Sequence, residues 1–171
     1  MYLANALSEL FFQTEANGDA NIIVDIPSNI NKILVVLNTI EPDVSIPDFF
    51  LMQTGNASAF DSSGYQSGAM ISVYSSNSWV NNNSNQGFVL NKEPVNINVL
   101  TSGVYTVANL NNSTPGIYPS FTGIENTVGT QGNPSSNLLC GLSPTSNASR
   151  IQFQWQNGNI ASGIITVYSL L

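Results

Sequence analysis

The strictest pattern in the chain lies near its end. From Arg150 to Gln156, RIQFQWQ, apolar and amide side chains alternate, with Ile151, Phe153 and Trp155 on one side and Gln152, Gln154 and Gln156 on the other. A period of two is that of a strand half in a core. Gly158 and Gly163 punctuate the chain, and GIITVYSLL over residues 163–171 closes it with a β-branched and aromatic run. Two such runs joined by NGNIAS are expected to be neighbours in space. Upstream, short apolar runs alternate with polar turn clusters. Residues 21–26 form the first, stopped by Pro27, and KILVVLNTI over 32–40 the second, ended by Glu41-Pro42-Asp43. The second is continuously apolar in its middle, as for a strand buried on both faces or a sandwich-core strand. Further strands are predicted over 49–54, 69–75, 88–90 and 96–100, with weaker candidates at 105–107 and 117–124. The polar stretches between them, notably 77–86 and 129–137, read as loops and turns.

Only the start of the chain has helical spacing. Leu3, Leu7, Leu10 and Phe11 fall on one side of a helix, but about ten helical residues are marginal without a surface to lie on. Residues 1–20 are therefore read as an anchoring arm and residues 21–171 as one β-sandwich domain. The expected fold is all-β: a single antiparallel β-sandwich, jelly-roll-like, with a short N-terminal arm. No internal repeat and no dividing linker is visible.

Composition sharpens this picture. The 171 residues are 42% hydrophobic but only 8% charged, against about 25% charged in ordinary domains. Asn, Ser, Thr and Gly take the polar positions, so the chain should fold rather than remain disordered. Ten acids against three bases (Lys32, Lys92 and Arg150) leave a net charge of −7, which argues against nucleic acid and anionic membranes as partners. No run approaches the length of about 20 apolar residues that spans a bilayer, and the start does not read as a signal peptide. Neutral partners, sugars or protein surfaces, remain.

The chemistry on offer is narrow. The chain has no histidine, which removes Ser-His-Asp triads, Cys-His dyads and most zinc and iron sites. Its one cysteine, Cys140, sits in an apolar run and reads as a buried structural thiol. No lysine follows a glycine, so no phosphate-binding loop is encoded. Catalysis by two carboxylates alone is the glycosidase case, with Asp25, Asp43, Asp48, Asp61, Glu93 and Glu125 as candidates; each also has a turn or strand-end role. Asp43 and Asp48 supply oxygen ligands for calcium, but without EF-hand spacing. No cofactor or metal is therefore expected. Sugar binding needs exposed aromatic faces and amides. Trp79 in its Asn-rich stretch, with Tyr65 and Tyr118 in other loops, offers such a platform. The plainer reading of Trp79 is packing over the sandwich end or against a neighbouring subunit.

The C-terminal residues also carry a resemblance. Arg150-Ile151-Gln152-Phe153, then Gly158-Asn159-Ile160-Ala161-Ser162-Gly163, then an alternating strand to Tyr168, resemble a C-terminal signature of bacteriophage virion proteins, with Ser169 where the pattern has Gly. Residues 32–42 followed by 49–52 look like early strands of the same module. The resemblance implies a β-sandwich on the phage exterior, often a homotrimer, in head-decoration, tail-fibre or spike proteins, and it implies no catalytic residues. The expectation is thus a non-enzymatic virion structural protein, a capsid decoration or cement-type accessory, partnered by itself and by major capsid or tail proteins. The absence of an encoded stalk favours the head over the tail. The alternatives are a tail-fibre or spike head that attaches to a host glycan through Trp79, and a carboxylate-dependent glycosidase.

Overall fold

Alternation of apolar and polar residues dominates wherever strands form. In a computed structural model of the chain, described for residues 8–46, 48–73, 76–81, 86–91, 95, 98–128 and 134–170, the described residues form twelve strands and no helix. They are β1 (Ser8–Ala16), β2 (Ile22–Asp25), β3 (Lys32–Pro42), β4 (Phe50–Gly55), β5 (Gln66–Val73), β6 (Ser76–Asn81), β7 (Phe88–Val89), β8 (Leu100–Ala108), β9 (Ser120–Val128), β10 (Pro134–Leu142), β11 (Arg150–Trp155) and β12 (Ile160–Leu170). An eight-stranded sheet has the order β1-β12-β3-β8-β9-β10-β5-β6, and a four-stranded sheet the order β2-β11-β4-β7. All pairings between these strands are antiparallel.

This order defines a jelly roll. Strands β1-β12-β3-β8 face β2-β11-β4-β7, and the chain crosses from one sheet to the other at each step, giving two interlocked Greek keys. Two hairpins interrupt the path: β5–β6 between β4 and β7, and β9–β10 between β8 and β11. Both add to the open edge at β8 and double the width of that sheet. The predicted all-β jelly-roll-like sandwich is what the chain adopts.

The core lies between the sheets. Ile33, Val35, Leu37 and Ile40 of β3 and Ile165 and Val167 of β12 pack on one side, with Phe50, Met52, Ile151, Phe153 and Trp155 on the other, all at most 3% exposed. The Phe50 ring lies 4.9 Å from Trp155 and 6.3 Å from Phe153. A second aromatic chain, Tyr65–Phe88–Phe121–Tyr105, carries the core under the inserted hairpins with centroid spacings of 5.1, 4.5 and 6.4 Å. Tyr105 lies flat against Gly103 and Gly123, where any Cβ would run into its ring. Its hydroxyl donates to the Leu90 carbonyl at 2.6 Å.

Several expectations need correction. The stretch containing Leu10 and Phe11 is strand β1, paired with β12 from Ser8↔Leu170 to Ala16↔Gly163, and not a helix. A few helical turns cannot satisfy the bare edge of β12, whereas a strand can. Leu3 and Leu7 lie outside the described residues. Leu10 is 50% exposed, and Phe11 packs partly buried against the core beside a bulge. Of the two readings of the β3 run, the sandwich-core strand holds: one face is buried, while Leu34 and Val36 point away from the small sheet and are half-buried. The polar stretch 77–86 contributes strand β6, and Pro134–Asn137 belong to β10. The strand predicted over 96–100 begins only at Leu100, since Asn98 turns the chain at φ 71°; Asn96 and Ile97 lie outside the described residues.

Candidate functional site

The connections β1–β2, β3–β4, β7–β8 and β11–β12 gather at one end of the sandwich, and carboxylates there clamp neighbouring loops together. Asp48, 1% exposed, accepts from the Asn157 N–H at 2.8 Å, from Asn157 Nδ2 at 3.1 Å and from the Phe49 N–H at 2.9 Å. Asp43 accepts from the Asn159 N–H at 2.7 Å and from Asn159 Nδ2 at 2.8 Å. Glu41 accepts from the Asn98 N–H at 2.9 Å and from Ser162 Oγ at 3.3 Å. Asn91 is fully buried; its Oδ1 accepts from the Phe50 N–H, and its Nδ2 donates to the Asp48 carbonyl.

Residues 150–163 meet this network, and several of them have a packing reason. Gly158 lies so close to Val44 and Asp43 that a Cβ would come within 2.7 Å and 2.8 Å of their side-chain atoms. Ile160 is fully buried and bridges Asp19. Gly163 has φ +122°, a region L side chains rarely adopt, beside the bulge where β3 and β12 lose register and Thr39 turns to φ 52°. At the start of β11 Arg150 pairs with Asp25 at 2.6 Å, and its guanidinium lies 5.1 Å from the Phe60 ring centroid. Asn157 and Asn159 bind Asp48 and Asp43, and so this segment helps to clamp the loops.

The same contacts bear on the carboxylate chemistries. Asp43 and Asp48 face N–H donors, an arrangement opposite to what a cation needs. Among the described residues no three or more His, Cys, Asp or Glu side chains are placed to share a metal ion. Asp25 holds Arg150, Asp61 accepts from Thr145 Oγ1 at 2.9 Å, and Glu125 is fully buried on the inward side of β9. Glu93 lies outside the described residues.

The three aromatic candidates separate. Tyr65 is 2% exposed and belongs to the core, so it is no part of a surface platform. The Thr54 N–H donates to its hydroxyl at 2.8 Å, that hydroxyl reaches the Thr54 carbonyl at 3.2 Å, and Thr54 Oγ1 continues to Ser143 Oγ at 2.7 Å. Burial pushes the Tyr65 hydroxyl up to about 12, against the pull of its Thr54 hydrogen bonds and with a further push from Asp61. Burial likewise raises Tyr105, with Glu125 adding to the rise. Tyr118 is 42% exposed in the β8–β9 connection beside Ile117 at 37%. Trp79 is on strand β6, opposite Met70 of β5, and not in a loop. Cys140, expected to be buried, is only partly so on β10.

Fold and site together define a jelly-roll β-sandwich in which Glu41, Asp43 and Asp48 hold the loops at one end together. Comparison with known proteins adds no name to that class: no family model, no curated protein and no solved structure matches the chain.

Proposed function

We propose that the protein is a non-catalytic structural component of a bacteriophage exterior, a decoration or cement-type accessory bound to the capsid. The observation that carries the reading is the strand order β1-β12-β3-β8 over β2-β11-β4-β7. This jelly-roll plan recurs in viral shells and in lectins, and fold alone does not assign a task. Supporting it here are the resemblance of residues 150–168 to virion proteins and the use of that segment as a rigid clamp. Its partners in this reading are other copies of itself and the proteins of the head.

The test is to locate the chain in intact particles by antibody labelling or direct imaging. Signal over the head is expected. Signal at the tail moves the protein to the alternative of a fibre or spike head, and absence from particles overturns the virion reading. One observation keeps the glycan alternative: Tyr118 is an exposed aromatic with Asn109 donating to its own carbonyl at 3.2 Å, which holds the loop in place. Under that alternative Tyr118→Ala and Trp79→Ala each abolish binding on a glycan array; under the decoration reading neither changes anything.

A further inference from the structure

We infer that the outward face of the widened sheet is a self-association surface, and that a second copy of this chain packs on it sheet to sheet. The inference stands apart from the virion reading and needs no phage. It begins with register. Val36 of β3 pairs with Val104 of β8, Val104 with Ile124 of β9, Ile124 with Leu138 of β10, Leu138 with Met70 of β5, and Met70 with Trp79 of β6. One line of apolar residues thus crosses six strands. Its described members Val104, Ile124 and Leu138 are 48%, 53% and 40% exposed, and Leu142 on the same face is 46% exposed. These four account for nearly half of the large hydrophobics exposed among the described residues. Single exposed apolar residues are ordinary, but an aligned set marks a contact surface.

Charge selects the occupant. Strands β8, β10, β5 and β6 contain no Asp, Glu, Lys or Arg, and on β3 the charged residues, Lys32 and Glu41, lie at the two ends of the strand, away from Val36 on the apolar line. Glu125, the one charged residue on β9, faces inward. In a chain with net charge −7, this is the face on which two copies meet without opposing carboxylates. A charged partner surface would be desolvated here with nothing to pair with it, whereas the same neutral face on a second copy matches in both polarity and apolar content.

The size also fits. Six strands at about 4.8 Å spacing and about seven residues of strand length give roughly 700 Å² per copy, near the roughly 800 Å² per partner of a stable interface. A single flat patch meets itself about a twofold axis, with the strands of facing sheets crossing at about 30°. Next to the apolar line lies a shallow depression of about 380 Å³, whose lining includes Gln66, Gly68, Thr122, Cys140 and Leu142.

The test is sedimentation of the full chain across micromolar to submillimolar concentration, with maleimide labelling of Cys140 as a local readout. A species of twice the 18.3 kDa chain mass is expected, with Cys140 protected in it. Ile124→Asp should weaken the pair by at least about 100-fold, since it buries an unpaired charge twice, and should expose Cys140. Ile124→Thr keeps strand propensity, so it should weaken the pair even if the Asp variant folds poorly. Ile46→Asp, at another exposed apolar position (56%), should leave the pair intact. A chain that stays monomeric, a threefold particle, or an Ile124→Thr variant that pairs as tightly as wild type overturns the inference.

Discussion

Removing one oxygen from Tyr65 probes the polar link at the centre of the core. In Tyr65→Phe the Thr54 N–H loses the acceptor it has at 2.8 Å, while Thr54 Oγ1 keeps Ser143 at 2.7 Å. A buried N–H without a partner costs about 1–3 kcal/mol, so the variant should be less stable by that amount at pH 7. The same hydroxyl gives the wild type a pH dependence that the variant lacks. Its pKa in the fold is raised to about 12 from an ordinary 10.0, chiefly by burial. The folded protein therefore holds the proton longer than the unfolded chain. The stability from this group is full below pH 10 and is lost as pH rises through 12. Two units amount to about 2.7 kcal/mol across the window, of which about 1.4 kcal/mol is gone by pH 11. Tyr105 acts in the same direction, but it is present in both proteins and cancels in the difference. Urea unfolding followed by tryptophan fluorescence at a series of pH values measures that difference. The wild-type advantage should hold from pH 7 to 9 and shrink by about 1.4 kcal/mol at pH 11. A gap that stays constant with pH, or a variant as stable as wild type at pH 7, would refute the reasoning.

Other perturbations test the clamp and the sheet. Asp48→Ala strands the N–H groups of Phe49 and Asn157 and should cost about 2–4 kcal/mol, read in thermal unfolding as about 2–4 °C per kcal/mol. Gly163→Ala forces a Cβ at φ +122° to within 2.8 Å of the Thr39 carbonyl oxygen and should cost at least about 2 kcal/mol; a neutral result would mean that the β3–β12 bulge relaxes freely. Deleting residues 1–16 removes β1 and bares the edge of β12, so the truncated chain should unfold earlier and aggregate, as light scattering would show, rather than merely detach from a particle.

The strands of the sandwich proper were legible because each buries at least one face. Ile22 to Asp25, Lys32 to Pro42, Phe50 to Gly55, Arg150 to Trp155 and Ile160 to Leu170 are the stretches that alternation or apolar runs mark, and Ile151, Phe153 and Trp155 point inward as their spacing requires. Strand β6 and most of β10 were hidden in Ser, Asn and Gly, and β5 was marked only from residue 69 on. These strands extend an existing sheet and are fixed by ladder hydrogen bonds to a neighbour, which any side chain permits. Local pattern also misread the first strand, because Leu3, Leu7, Leu10 and Phe11 have helical spacing while the edge of β12 supplies pairing that no helix can give. The same limit applies to the sites. Sequence marked residues 158–163 as special, but only the tertiary structure made Asn159 a clamp on Asp43, more than 100 residues away along the chain. It also put Tyr65 in the core and lined up Val104, Ile124 and Leu138. Charge balance and strand period are set by composition and by neighbouring residues, so the sequence alone determined them. Register and the partners of each carboxylate depend on which distant strands meet, and the fold decided those.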